Sequence, residues 1–226
     1  GDKMSTFRSK IMEKLYIVIP AYNEEMNITS VAREWHTVVE TISEDSKLVI
    51  IDDGSKDSTY QVLTELSKEL PQLEVITKKN SGHGATVLYG YRYALEQNAD
   101  YIFQTDSDGQ TLPEEFYGFW ELRDKYSAVI GYRNHRKDGF SRVFVTKTLK
   151  FVLWCIFKLN ITDANTPFRL LNRDVLQRHI SKIPKDFNLS NVMLTICLVK
   201  YKENIRFIPI TFKPRQGGVN SINFKK

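Results

Sequence analysis

Two aspartates separated by one residue, Asp106 and Asp108, are the pair in this sequence best suited to chemistry. They follow a short apolar run, and Gln110 offers a neutral oxygen two positions later. Two carboxylates this close repel each other unless a cation lies between them. Such oxygen donors suit Mg²⁺ or Mn²⁺, which can bridge a diphosphate and stabilise it as it leaves. We therefore predict a divalent metal site formed by Asp106, Asp108 and Gln110.

Two more polar clusters follow apolar runs in the same way. Pro20–Glu25 has the sequence PAYNEE, and Asp52–Ser55 has the sequence DDGS. Asp, Asn, Gly and Ser are also common turn residues, so each cluster alone is consistent with a simple turn. Three acidic clusters at strand ends instead predict one shared cleft, because ligands of parallel sheets bind at the carboxyl ends of the strands.

A glycine-containing segment, Asn80–Ala85 (NSGHGA), follows another apolar run and opens a helical stretch. Its glycines permit a close approach of the backbone to a ligand. The segment matches neither the P-loop nor the G-x-G-x-x-G pattern. For His83, a ligand contact and an ordinary solvated loop histidine both stay open.

The elements that must position these clusters alternate between apolar runs and helical patterns. Strands are predicted over 15–19, 47–51, 73–77, 101–105 and 128–132, and a later one over 205–212. Apolar residues spaced by three and four predict helices between them, among them 84–97, and a later helix over 189–199. This order predicts a Rossmann-like α/β fold, with a mostly parallel sheet covered by helices on both faces.

The second part of the chain has a different pattern, and we predict one domain over 14–226 with two halves, 14–133 and 134–226, after a tail over 1–13. Residues 134–141 and 163–169 are predicted as loops. The segment 142–159 is apolar and aromatic but carries lysines, and it is too short to span a bilayer. Two interpretations stay open, a helix lying in a membrane interface and a core helix packed on the sheet.

Composition narrows the function classes. The 226 residues carry a net charge of +5, which suits an anionic ligand or membrane surface but is also common in merely soluble proteins. No compact nucleic-acid motif accompanies it, so no nucleic-acid partner is expected. The two cysteines form no metal motif, and the polar start of the chain does not resemble a signal peptide. We expect a cytoplasmic protein, peripheral on the cytoplasmic face of the membrane.

Taken together, the motifs resemble the inverting family 2 of GT-A glycosyltransferases. The resemblance covers about residues 14–133 and is carried by PAYNE, IDDGSKDST, NSGHGA and DSDGQTLPE, in the family's order. Within the family the sequence is most similar to polyprenyl-phosphate glycosyltransferases such as dolichol-phosphate mannose synthase. That branch is indicated by D-x-D-x-Q, by Gly131–Arg133, and by a later D…FR element at Asp163, Phe168 and Arg169.

The resemblance implies roles for matching residues. Contacts to the nucleotide sugar are implied for Pro20, Tyr22, Glu24, Asp52, Asp53, Asn80, Gly84, Asp106 and Ser107. Catalytic roles are implied for Asp106, Asp108 and Asp163, and phosphate or acceptor contacts for Arg133, Arg169 and Arg215. The planar guanidinium group suits phosphate, and an ordinary surface charge is the alternative interpretation for each arginine.

The sequence departs from the family pattern at two places. Pro167 stands where the branch has glycine before Phe-Arg, and proline cannot adopt a positive φ. Asn220 stands where the C-terminal motif has serine. The Q-x-x-R-W signature of processive synthases is also missing, so one sugar per turnover is expected.

The resemblance implies an inverting transfer of one sugar from a UDP- or GDP-sugar to a polyprenyl phosphate, dolichyl or undecaprenyl. The alternative is transfer to a saccharide hydroxyl in cell-envelope glycan synthesis. A non-catalytic nucleotide-sugar-binding module is a further alternative, which the intact D-x-D-x-Q disfavours. A nucleotidyltransferase should carry a Gly-rich, Arg-containing loop after the first strand, where this chain has PAYNEE. A separate membrane subunit is also open as a partner.

Overall fold

The computed structural model describes residues 13–133, 147–158 and 161–215. The strands are β1 (Leu15–Ala21), β2 (Lys47–Asp52), β3 (Leu73–Thr77), β4 (Tyr101–Gln104), β5 (Ala128–Arg133), β6 (Arg169–Asn172) and β7 (Ile205–Ile210). The α-helices are α1 (Ile28–Ile42), α2 (Thr59–Glu69), α3 (His83–Glu96), α4 (Phe116–Trp120), α5 (Lys147–Phe157), α6 (Ile161–Ala164), α7 (Arg173–Ile180) and α8 (Ser190–Lys200). The 3₁₀ turn Pro113–Glu115 precedes α4.

The strands form one seven-stranded sheet in the order β3-β2-β1-β4-β6-β5-β7. Every pairing is parallel except those of β6, which runs antiparallel to β4 and β5. The predicted mostly parallel sheet is confirmed. The prediction of a loop over 163–169 is wrong at both ends, because α6 extends to Ala164 and β6 begins at Arg169. With only four residues, β6 is too short to give a periodic signal.

Two apolar layers cover the faces of the sheet. One layer centres on Trp35, Phe103 and Phe168, whose rings lie 4.8–6.0 Å apart. The other layer packs α3, through Val87 and Leu88, against the opposite face. Because neighbouring strand residues point to opposite faces, the apolar strands of the predicted core are buried on both sides, as parallel strands require.

The sheet unites the two predicted halves of the chain, because β5 pairs with β6 and β7. The division at residue 133 stays a prediction, and residues 134–146 lie outside the described parts. The segment predicted over 142–159 contains α5. In the described parts of the chain, none of the helices combines the length and apolar character needed to cross a bilayer.

Candidate functional site

The carboxyl ends of β1, β2 and β4 open into a cavity of about 560 Å³, which the N-terminal end of α3 also borders. The three acidic clusters therefore meet at one edge of the sheet, as predicted. The predicted site residues that line the cavity are Pro20, Tyr22, Glu24, Asp53, Asn80, Asp106, Ser107, Asp108 and Arg215. Ala21, Gly82, His83 and Thr86 complete the lining.

The two aspartates of the D-x-D motif lie side by side just after β4. Asp106 Oδ1 is 2.8 Å from Nε2 of His83, and Asp108 Oδ1 accepts the backbone N–H of Gln110 at 3.0 Å. Burial and the charge of Asp106 raise the pKa of Asp108 to about 6, although the Gln110 N–H and the charge of Arg215 act against them. The raised pKa reflects first the burial of the carboxyl and then the neighbouring carboxylate, and a bound cation would offset both.

The donor set fits a divalent cation that a substrate helps to hold. Within residues 13–133, 147–158 and 161–215, no three His, Cys, Asp or Glu side chains form a cluster able to hold a metal alone. Mg²⁺ commonly binds through one or two carboxylates together with substrate phosphates. Asp106 and Asp108 match a site in which two carboxylates and the substrate phosphates hold the metal together. Gln110 does not line the cavity, and its Nε2 donates to Lys213 O at 3.0 Å.

Asp53 holds the loop that leads into α3. Its carboxylate forms an ion pair with Lys78 and accepts the backbone N–H groups of Ser81 and Gly82 at 2.9 and 3.0 Å. Gly82 has a φ of +92°, which glycine adopts without strain. The Asn80 side chain donates to Asp53 O at 2.9 Å. The cavity wall at Asn80 and Gly82 is thus shaped by one buried carboxylate.

Glu24 and Arg215, predicted as separate ligand contacts, are bonded to each other. Arg215 Nη2 donates to Glu24 Oε1 at 2.7 Å, and Asn27 Nδ2 donates to Oε2 at 3.2 Å. Burial raises the pKa of Glu24, although its bonds to Asn27 and Arg215 act against that rise. This pair links residues 191 positions apart and brings Arg215 to the edge of the cavity.

Two predicted ligand contacts, Asp52 and Gly84, lie outside the cavity lining and contact other parts of the protein. Asp52 is 2% exposed and does not line the cavity, and its carboxylate accepts from Ser55 N and Thr77 Oγ1. Gly84 faces a neighbouring loop, because a Cβ there would lie 2.2 Å from Asn188 O. Neither residue lines the cavity, and their roles as nucleotide-sugar contacts stay predictions.

The remaining predicted residues lie outside the cavity lining. Arg169 is 0% exposed and its guanidinium binds protein oxygens, so the prediction of a phosphate contact is corrected. Asp163 lies in the short helix α6, just ahead of β6. Arg133 ends β5 and stacks on Phe212 at 3.9 Å, and its charge lowers the pKa of Asp108. Asn220 lies outside the described residues.

Two side chains at this site, Lys78 and Thr86, belong to none of the predicted site residues. Lys78 directly follows β3, and nothing in the sequence distinguishes it from the other lysines, although its pairing with Asp53 fixes the loop. Thr86 lines the cavity from the first turn of α3 and donates to Gly82 O at 2.8 Å. His83, for which the sequence allows both a ligand contact and a solvated loop position, lines the cavity next to Asp106. Their only sequence signal is nearness to the NSGHGA segment.

Comparison with known proteins finds curated relatives, and two of them are each 27% identical to this chain. One is the undecaprenyl-phosphate 4-deoxy-4-formamido-L-arabinose transferase of Salmonella choleraesuis (strain SC-B67), matched over 65% of this chain and 45% of the relative. The other is the UDP-N-acetylglucosamine--dolichyl-phosphate N-acetylglucosaminyltransferase of Methanococcus voltae, matched over 87% and 84%. The chain thus spans less than half the length of the Salmonella relative.

Solved structures show the same fold. Glucosyl-3-phosphoglycerate synthase from Mycobacterium tuberculosis, in complex with Mn²⁺, UDP and phosphoglyceric acid, superposes with a TM-score of 0.65 at 16% identity, covering 92% of this chain and 72% of that one. S. aureus TarS in complex with UDP-GlcNAc has a TM-score of 0.64 at 15% identity, covering 94% and 61%. Residues 16–180 match the profile described as "Glycosyl transferase family 2". The chain belongs to glycosyl transferase family 2 and has the GT-A fold.

Proposed function

We propose that this protein transfers one sugar, with inversion, from a nucleotide-diphosphate sugar to a polyprenyl phosphate. The observation that carries the proposal is the cavity at the strand ends, where Asp106 and Asp108 lie beside each other and Arg215 borders them. A relative matched over 84% of its own length is named as a transferase from UDP-N-acetylglucosamine to dolichyl phosphate. The site and this relationship support the same donor class and the same acceptor class.

In this proposal the cavity binds the donor and orients its leaving group. The loop fixed by Asp53 lies against the nucleoside, and Asp106 and Asp108 hold the divalent cation. Mg²⁺ or Mn²⁺, when bound, supplies Lewis-acid stabilisation of the departing diphosphate. Arg215 and Arg133 place positive charge near Asp108, where the diphosphate charge develops.

The acceptor determines whether a general base is needed. A polyprenyl phosphate is already an anion at neutral pH, so its oxygen can attack the anomeric carbon without losing a proton first. A saccharide hydroxyl would need a carboxylate to take its proton, and Asp163 is then the candidate. Asp163 is not one of the described residues that line the cavity.

The surface of α5 supports an acceptor that lies in a membrane. Phe151, Trp154 and Ile156 are 66%, 58% and 65% exposed, while Leu153 is buried against α8. Exposed lysines, among them Lys150, belong to the same helix. An apolar face with lysines around it suits the interface of an anionic bilayer. We place this docking at the cytoplasmic leaflet, whose anionic lipids attract basic segments.

The donor site is tested by thermal unfolding with UDP, GDP, CDP and ADP, each with Mn²⁺ and with chelator. A ligand at about 100 times its dissociation constant raises stability by roughly 2.7 kcal/mol, an easily measured shift. We expect a metal-dependent shift with one diphosphate, and its loss in Asp108→Asn but not in the exposed control Asp45→Asn. Full transfer activity in Asp108→Asn would refute the metal assignment.

The acceptor is tested by transfer assays with polyprenyl phosphate and with saccharide acceptors. Transfer to the lipid phosphate alone supports the proposal, and transfer to saccharides alone supports the alternative. For docking, the protein should sediment with vesicles of phosphatidylcholine and phosphatidylglycerol. Phe151→Glu with Trp154→Glu should abolish this, while Tyr201→Glu, exposed on another surface, should not. Absence of sedimentation by the wild type would count against docking through α5.

A further inference from the structure

A buried arginine at the start of β6 is enclosed by neutral oxygen atoms. Arg169 donates from Nε and Nη2 to Thr166 O at 3.0 and 2.8 Å, and from Nη2 to Ala164 O at 3.0 Å. Nη1 donates to Asn191 O at 3.2 Å and to Thr195 Oγ1 at 3.0 Å. A guanidinium has five N–H donors. All of them are used inside the protein.

These bonds join three segments: the turn that follows α6, the strand β6, and the first turns of α8. Thr195 Oγ1 also lies 2.9 Å from Ala164 O, so the turn is held by α8 as well as by Arg169. A lysine ammonium has three donors on a point charge and cannot reproduce a planar fork of five. The arrangement therefore requires arginine specifically.

This network lies at the same edge of the sheet as the metal-binding aspartates. Arg169 is the register partner of Gln104, the last residue of β4, and Asp106 follows two positions later. The turn begins at Asp163, whose carbonyl accepts the N–H of Thr166 at 3.3 Å. The bonds of Arg169 to Ala164 and Thr166 thus hold the backbone directly beside Asp163.

The other end of β6 carries a second arginine with similar chemistry. Arg173 Nη1 donates to Leu95 O at 3.0 Å and to Ala99 O at 3.3 Å. It follows Asn172, which pairs with Tyr101 at the start of β4, so it lies at the edge opposite the cavity. Arg173 is a natural control for an arginine that binds carbonyls far from the site.

We propose that Arg169 is a positioning residue for the acceptor side of the reaction, which fixes the backbone of the turn at Ala164–Thr166 at the edge of the sheet where the cavity opens. The inference rests on the proposed function. Enclosing a cation without a carboxylate partner costs free energy that an apolar side chain of similar size would avoid. Stability alone therefore does not account for an arginine here, whereas a demand for fixed backbone geometry does.

The test compares Arg169→Met, Arg169→Lys and Thr195→Val with Arg173→Met, all assayed below their melting temperatures. We measure UDP–Mn²⁺ affinity by thermal shift, and kcat and KM for polyprenyl phosphate. Arg169→Met and Thr195→Val should keep donor affinity within about twofold but lose at least about tenfold in kcat/KM for the acceptor. The reason is that a small displacement of groups near the reacting atoms lowers the rate strongly. Arg169→Lys should recover part of the loss. Arg173→Met should change kcat/KM less than about twofold.

Hydrogen–deuterium exchange gives a readout that does not depend on catalysis. Exchange over residues 161–167 should rise in Arg169→Met and Thr195→Val but not in Arg173→Met. If Arg169→Met does not fold, Thr195→Val carries the test, since it removes one acceptor and conserves shape. Equal losses of kcat/KM in the Arg169 and Arg173 variants, or unchanged exchange, would overturn the inference. A wild type without transfer activity would refute the proposed function, and exchange would still decide whether Arg169 holds the turn.

Discussion

Asp53 should contribute more to stability than any other carboxylate of the cavity, because it bonds three donors on one loop. Its residue is 3% exposed, and its oxygens bind Lys78 Nζ, Ser81 N and Gly82 N. Asp53→Ala leaves a largely buried ammonium and two backbone N–H groups without their acceptor. Asp53→Asn retains the shape and one acceptor oxygen.

The magnitude follows from these contacts. A hydrogen bond to a charged group contributes about 1.5–3 kcal/mol, and breaking a buried ion pair costs about 3–5 kcal/mol. The two terms overlap, so we expect Asp53→Ala to lose about 4 kcal/mol of unfolding free energy. In a domain of this size that corresponds to a fall of about 8–16 °C in the melting temperature. Asp53→Asn should lose about half as much.

The assay is urea unfolding at pH 7, combined with UDP–Mn²⁺ binding, since the loop also forms a wall of the cavity. Lys78→Met is the matched variant, because it removes the ammonium and leaves the two backbone bonds of Asp53. The double variant Asp53→Asn with Lys78→Met should show a coupling of about 1–2 kcal/mol. A loss below about 1 kcal/mol in Asp53→Ala, or no coupling, would refute the view that this carboxylate organises the loop.

Two further predictions concern packing and pH. Burial raises the pKa of Glu203, but its bonds to Arg178 and His179 outweigh this and hold that pKa below the ordinary 4.5. A lowered folded-state pKa adds stability above the unfolded-state pKa and loses it as pH falls. Wild type should therefore be more stable than Glu203→Gln in urea unfolding by about 1–2 kcal/mol at pH 7. This advantage should shrink as pH falls below the unfolded-state pKa, and an advantage that stays constant with falling pH would contradict this. Gly84→Ala places a Cβ 2.2 Å from a backbone oxygen and should lose about 3 kcal/mol in the same assay. Gly118→Ala, with nothing within 4 Å, should be neutral or gain up to about 1 kcal/mol; wild-type stability in Gly84→Ala would show that the loop yields.

The sequence was sufficient to predict the sheet and the cleft. Apolar runs such as Leu15–Ala21 predict buried parallel strands. The polar residues that follow these strands then lie at the same edge of the sheet. The cavity lined by Glu24, Asp53 and Asp106 follows from this rule without knowledge of any side-chain contact.

The functions of individual residues within a motif could not be predicted in this way. In the pair Asp52–Asp53, β2 ends at Asp52, and successive side chains of an extended chain point to opposite sides. Asp53 therefore lines the cavity, and Asp52 does not. Which of the two does so depends on the position of the strand end to within one residue, which sequence patterns do not resolve. The burial of Arg169 depends on α8, which is 22 positions later in the chain, so no local pattern reveals it.

The charges of the cavity explain why the acidic motifs and the basic residues occur together. Among the described residues that line it, four are carboxylates, Glu24, Asp53, Asp106 and Asp108, and one is an arginine, Arg215. A nucleoside diphosphate is itself an anion, so this cavity repels it unless added positive charge offsets the carboxylates. Glu24 is already bonded to Arg215, and Asp53 is already paired with Lys78. This leaves Asp106 and Asp108, where the pKa of Asp108 is raised, as the place where a dication is stabilised most. Donor binding and metal binding should therefore be strongly coupled, each raising the affinity for the other by the same factor.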